Sequence, residues 1–263
     1  MSVMCEIDIE GLSTEAFAEL DYTVMGQAFK CHNQFGSLAD ERIYEANLAT
    51  RLNDMRIECV QQLPLHVSHA GFRKTLFLDL VVSRRGIYEL KTVAGLTKEH
   101  VAQLLTYLYL LDLPRGKLVN FRSAKVESQF VNAPLTRKVR TSFSIHKDEY
   151  RGKPELMDTI QAMLLDLGTS LSISLYQDVL VELLGGEAVA IAMLPISDGQ
   201  RHFGNQRFHL VSPTESFRIT CFSHIPSDYE TQIRSLLTFS PLDATHWINI
   251  DVETVTFKTI KRN

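Results

Sequence analysis

The chain of 263 residues has no run of about 18 apolar residues, so it is expected to place no helix across a membrane. Its first residues, Met1-Ser2-Val3-Met4-Cys5-Glu6-Ile7-Asp8, set no basic segment ahead of an apolar one, so no secretory signal is expected. Cysteine is scarce. Cys5, Cys31, Cys59 and Cys221 lie far apart with no Cys-x-x-Cys pair, which argues against structural zinc and suits a reducing cytoplasm. The chain also lacks a Gly-x-x-x-x-Gly-Lys-Ser/Thr loop, a Gly-x-Gly-x-x-Gly turn after a strand, a Gly-x-Ser-x-Gly elbow and a His-Glu-x-x-His pair. An excess of basic charge is missing as well: the net charge of −4 excludes coating nucleic acid by bulk charge.

What the chain does carry is an aspartate followed by a Glu-x-Lys triplet. Asp79 lies in the apolar run Leu76-Phe77-Leu78-Asp79-Leu80-Val81-Val82, and Glu89 and Lys91 lie in Ile87-Tyr88-Glu89-Leu90-Lys91. The turn Ser83-Arg84-Arg85-Gly86 between them predicts a β-hairpin. Alternation puts Glu89 and Lys91 on one face, and the even separation brings Asp79 to that face too. Carboxylates opposed across a hairpin repel, and burying them unpaired costs more. A divalent cation with oxygen ligands relieves both. A Glu-x-Lys triplet is often only one face of a solvated strand; here the apolar setting favours a site.

Apolar spacing predicts helices over 13–35, with an interruption, and over 39–53. Strands are expected at Ile57–Leu63, Leu65–Ser68, Leu76–Val82, Ile87–Lys91 and Lys117–Phe121, with a helix from Lys98 to Leu111 capped by Thr97. That order makes an α/β core. His100, Gln103 and Tyr107 share a polar stripe on the last helix. Basic residues crowd the stretch from Arg115 and Lys117 through Arg122, Lys125, Arg137, Lys138 and Arg140 to Lys153. They read either as a groove that tracks a phosphate backbone or as a solvated linker. Tyr44 reads as a packing residue with a hydrogen-bonded hydroxyl, and Trp247, the single tryptophan, as core.

Asp79, Glu89 and Lys91 resemble the acid–acid–lysine set of the PD-(D/E)XK nuclease superfamily. The segment Gly36-Ser37-Leu38-Ala39-Asp40-Glu41-Arg42-Ile43-Tyr44 is similar to the first motif of its GxxExxY branch, except that Leu38 stands where the motif opens with Gly. His100-Val101-Ala102-Gln103 is similar to that branch's His-x-x-Gln helix, and Leu118-Val119-Asn120-Phe121 to its closing strand. The resemblance covers roughly residues 20–145 and implies a restriction-endonuclease-like core, a central mixed sheet flanked by helices. It implies that Asp79, Glu89 and the backbone carbonyl of Leu90 ligate Mg²⁺ or Mn²⁺, with Glu41 adding a carboxylate. Lys91 would orient the attacking water or bind the scissile phosphate, and Gln103 would contact Lys91 or the substrate.

The second half repeats this order without the charges. Lys91 to Gln103 is twelve residues, as is Thr220 to Gln232; Gln103 to Asn120 is seventeen, as is Gln232 to Asn249. The expectation is a nuclease-like domain over 1–150 and a degenerate copy over 151–263. In that copy His209 would replace Asp79, Arg218 Glu89, Thr220 Lys91, and Ile173 Glu41. The function expected is a cytoplasmic, metal-dependent nuclease acting on DNA or RNA, a monomer or weak homodimer, with no membrane partner. The alternative is a non-catalytic nucleic-acid-binding or regulatory module on the same fold; two facing carboxylates favour the enzyme.

Overall fold

The computed structural model describes residues 2–262, apart from the side chain of Ser2. After a short strand β1 (Ser2–Cys5), Ser13 opens the first helix, its Oγ accepting the Ala16 N–H at 3.2 Å. This helix, α1 (Thr14–Phe35), runs to Gly36, whose φ of 67° favours glycine. The interruption expected within 13–35 is absent, because Val24, Met25, Ala28 and Cys31 form one buried stripe. That stripe joins the core with Tyr44, Leu48 and Leu52 of α2 (Glu41–Asp54). The two strands expected around Pro64 are a single strand, β2 (Cys59–His69). Its backbone is kinked at Gln62 (φ 48°), the kind of irregularity at which a strand tolerates proline.

Next come β3 (Phe72–Val82), β4 (Gly86–Lys91), α3 (Lys98–Leu110), β5 (Arg115–Asn120) and β6 (Glu127–Asn132), giving a sheet ordered β1-β2-β3-β4-β5-β6. β3 and β4 form the expected hairpin, while β4 and β5 run parallel with α3 as the crossover. Gly116 lets α3 approach: an added Cβ would lie 3.2 Å from Leu104 Cδ1 and 3.1 Å from the Ile87 carbonyl. Leu80, Tyr88, Leu90, Val119 and Phe121 bury one sheet face against α1 and α2. Each such buried leucine is worth about 2 kcal/mol. Alternation therefore turns Asp79, Glu89 and Lys91 to the opposite face.

The chain continues through α4 (Arg137–Arg140), β7 (Ser144–Glu149), α5 (Pro154–Leu167), α6 (Ile173–Leu183) and α7 (Glu187–Ala190). It ends with β8 (Ile191–Ser197), β9 (His202–Ser212), β10 (Glu215–Thr220), α8 (Tyr229–Phe239), β11 (Ala244–Ile250) and β12 (Thr254–Lys261). These strands make a second mixed sheet, β7-β12-β11-β10-β9-β8. Packing divides the chain into two units: residues up to Ser68 with Arg73–Thr136, and His69–Phe72 with the chain from Arg137 onward. Among the described residues no helix is long and apolar enough to cross a membrane.

The two units share their wiring. In the first, β2-β3-β4-β5-β6 are neighbours in that order; in the second, β8-β9-β10-β11-β12 are. The parallel pair is β4 with β5 in one and β10 with β11 in the other, registered at Lys91↔Asn120 and Thr220↔Asn249. Tyr44 Oη donates to the Gly36 carbonyl at 2.6 Å, and Tyr176 Oη to the Gly168 carbonyl at 2.7 Å, each glycine closing the helix before. Asn120 exchanges two hydrogen bonds with the backbone of Val93 at 3.1 and 2.8 Å; Asn249 does so with Phe222 at 2.8 and 2.9 Å.

One expected equivalence shifts. His209 pairs with Phe217 as Leu80 pairs with Tyr88, so the position matching Asp79 is Phe208, not His209. An irregularity between Glu215 and Ser216 leaves Val211 unpaired, which sequence spacing does not reveal.

Candidate active site

The β3–β4 ladder stops at Leu80↔Tyr88. Beyond that pair the strands diverge, and a side chain replaces the missing backbone partner: Asp79 Oδ2 accepts the Leu90 N–H at 2.8 Å. Asp79 Oδ1 accepts from Gln62 Nε2 at 3.1 Å, and the same nitrogen donates to Glu45 Oε2 at 2.8 Å. Glu89 is 1% exposed; its Oε1 accepts from Lys91 Nζ at 2.6 Å, while its Oε2 has no hydrogen-bond partner. Glu41, the first residue of α2, accepts from the backbone and hydroxyl of Thr92 and feels the charges of Lys91 and Asp79. The hairpin thus brings Asp79, Glu89 and Lys91 together, and α2 adds Glu41.

Burial is the largest influence on each acid. It raises Asp79 above its usual carboxylate range, against the Leu90 hydrogen bond and the Lys91 charge. Glu89 is pushed up to about 8, first by burial and then by Asp79, with Lys91 pulling the other way. Burial also raises Glu41 and Glu45, whose charges repel those around them. For Lys91 burial opposes the charge, but Glu89, Asp79 and Glu41 outweigh it and the ammonium is raised. Three carboxylates, Glu89, Asp79 and Glu41, therefore share Lys91, while Glu45 has Gln62 and the charge of Arg42.

Two residues of the polar stripe find their partners within α3 or at its start. Gln103 does not reach Lys91: its Nε2 donates to Tyr107 Oη at 3.0 Å, and Tyr107 is the α3 residue that feels Glu89's charge. His100 caps its own helix, Nδ1 accepting the Thr97 N–H at 3.0 Å. The basic stretch is not one groove, because Lys117 is buried in an ion pair with Asp21 and Arg140 is buried against the carbonyls of Leu167 and Thr169. Trp247 is core, as expected.

Sequence reading missed Gln62, Glu45 and Arg122. Glu45 could have been found as the residue one turn after Glu41 on the same helix face. Gln62 is one of two adjacent glutamines, Gln61 and Gln62, in β2, and the kink at its own backbone separates it from an ordinary strand position. Arg122 follows the closing strand and ties the loop at Ser37 to the end of β4 at Thr92 through 2.9 and 3.3 Å hydrogen bonds.

The donors suit a hard divalent cation. Asp79 and Glu89 offer carboxylate oxygens, and the buried, unpartnered Glu89 Oε2 is the kind of atom a metal ion satisfies. Among the described residues no three His, Cys, Asp or Glu side chains are already gathered as a ligand set. Glu89 is instead engaged by Lys91.

No curated protein and no solved structure matches the chain. Residues 18–132, the stretch that holds Glu41, Asp79, Glu89, Lys91 and Gln103, match the family model of the PD-(D/E)XK nuclease superfamily, and it is this superfamily that the first unit is similar to.

Proposed function

We propose that the first unit is a Mg²⁺- or Mn²⁺-dependent nuclease of the GxxExxY type that hydrolyses phosphodiester bonds of nucleic acid. The observation that carries the reading is Glu89: a carboxyl group walled off from water, with one oxygen on Lys91 and Asp79 as its like-charged neighbour. Burying such a group is costly unless a cation shares it. Asp79, Glu89 and the Leu90 carbonyl would hold the ion, with Glu41 beside them; when bound it lowers the pKa of water and offsets charge on the attacked phosphate. The chain's own groups do the rest. Gln62 and the Leu90 N–H fix the rotamer of Asp79. Lys91, beside these ligands, would hold the scissile phosphate or the attacking water as a point charge. Gln103 acts at one remove, by placing Tyr107.

The test is incubation of the protein with single- and double-stranded DNA and RNA, with Mg²⁺, Mn²⁺ or EDTA. Cleavage should require the metal and vanish in Asp79→Ala and Glu89→Ala. Metal-independent binding that survives both changes, with no strand cut, would favour a binding module instead.

The second unit is, in this proposal, a degenerate duplicate of the first. Matching strand order, matching register, the paired Tyr–Gly bonds and the paired Asn–backbone bonds support it. An internal duplicate lessens the need for a second chain, in keeping with a monomer or weak homodimer, and scattered free thiols suit the cytoplasm.

A further inference from the structure

We infer that the second unit carries a nucleotide-binding pocket that works without metal and is centred on Arg218. It is independent of the cleavage reading, since Asp79, Glu89 and Lys91 take no part in it. Arg218 pairs with Trp247 across β10 and β11 as Glu89 pairs with Leu118 across β4 and β5, so a guanidinium stands where the first unit has its most buried acid. A cavity of about 390 Å³ opens at this place, within the usual size of small-ligand sites. Its wall includes Arg207, His209 and Arg218 and no Asp or Glu, in a chain whose net charge is −4. His209 is lowered by burial first and then by the charges of Arg207 and Arg218, with Asp178 of α6 pulling the other way.

The polar groups are set for a ligand. Arg218 Nε donates to Tyr229 Oη at 2.6 Å, and the guanidinium lies 5.8 Å from the Tyr229 ring centroid. One edge of the fork is thereby fixed, and its terminal nitrogens have no protein partner among the described residues. A fixed guanidinium with free terminal nitrogens is suited to a phosphate. The side-chain amides of Gln177 and Gln206 also line the cavity. Phe222 supplies partly exposed aromatic surface, set edge-to-face at 4.9 Å on Tyr229, which with Phe208 belongs to the buried core behind the cavity. Cation, amides and rings together match a nucleoside phosphate better than a bare anion, because a base can stack while its edge meets the amides.

Trp247 is a built-in reporter. It is the single tryptophan, and its ring lies 5.0 Å from that of Tyr229. The wild-type chain in EDTA, which prevents metal-dependent cleavage, should be titrated with thymidine monophosphate, a short oligothymidylate and inorganic phosphate while tryptophan emission is followed. A saturable change with the nucleotides is expected, weakened at least ~10-fold by Arg218→Gln and less by Arg218→Lys. Tighter binding of the oligomer assigns the pocket to a strand, and equal binding per phosphate assigns it to free nucleotide; both support the inference. Should Arg218→Gln lower the thermal midpoint, Gln177→Glu gives the same comparison by placing a repelling charge in the wall. An equal response to inorganic phosphate, no response to any probe, or undiminished binding by the folded variants would overturn it.

Discussion

Gln62 joins two acids through one nitrogen, Nε2 lying 2.8 Å from Glu45 Oε2 and 3.1 Å from Asp79 Oδ1. It does so from a backbone position at φ 48°, which a residue other than glycine holds only at a cost. Gln62→Ala removes both hydrogen bonds and frees Asp79 to turn. Mn²⁺ affinity, measured by calorimetry, is expected to fall by about 10-fold, as when other groups that orient a ligand are lost. Unchanged affinity would reduce Gln62 to a strand residue.

Asp79 has a structural duty as well as a charge. Asparagine at this position keeps an oxygen for the Leu90 N–H, whereas alanine leaves that buried donor unmet. Asp79→Ala should cost about 1–3 kcal/mol of unfolding free energy, and Asp79→Asn much less. Both should abolish cleavage. Urea titrations beside a cleavage assay separate the two effects.

The acids set a pH dependence whose sign follows from their direction. Glu89 rises from 4.5 to about 8 on folding, and Glu41, Glu45 and Asp79 shift the same way. The folded protein therefore holds a proton that the unfolded chain has released. Stability is full below the unfolded value and is lost as pH climbs through the folded one. Without metal, the unfolding free energy should drop by about 2 kcal/mol between pH 6 and 8. Saturating Mn²⁺ should flatten that slope by displacing the proton, and Glu89→Gln should remove most of it. Denaturant midpoints in EDTA that stay level across this range would mean that Lys91 keeps Glu89 ionised.

Lys91→Met removes the cation that Glu89, Asp79 and Glu41 share. Cleavage should fall by about 10²-fold or more, the scale on which one charge-stabilising group acts. Binding of an uncleaved oligonucleotide in Ca²⁺, measured by anisotropy, should change by only a few-fold. An equal loss in both would make Lys91 a binding residue alone.

The paired asparagines allow a test of shared ancestry by energetics. Asn120→Ala and Asn249→Ala each delete the same pair of bonds to one residue's backbone, together with further bonds to Arg122 and Glu127 in the first and to Thr220 in the second. Each should cost about 2 kcal/mol. Effects differing several-fold, in urea unfolding of the single variants, would speak against equivalent roles.

The hairpin and the α3 crossover were legible because alternation, a polar turn and helical spacing are local signals. Asp79, Glu89 and Lys91 meet for that reason. Asn120 and Asn249, the ends of the seventeen-residue spacings, pair with Lys91 and Thr220 on the neighbouring parallel strands. What escaped was whatever depends on distant chain. Lys117 looks like a groove residue until Asp21, 96 positions away, closes on it. Gln62 depends on a kink in β2, and the mismatch of His209 with Asp79 arose from one unpaired residue at Val211. Gln103 lay on the expected helix stripe, but its neighbour Tyr107 captured it.

The seam between β3 and β4 gives a last consequence. Pairing ends at Leu80 and Tyr88, and a carboxylate closes what the main chain leaves open. Were the strands to zip one rung further, Leu90 would spend its amide on backbone and Asp79 would lose its anchor. A substitution that merely straightens these strands could thus silence the protein with every charge in place.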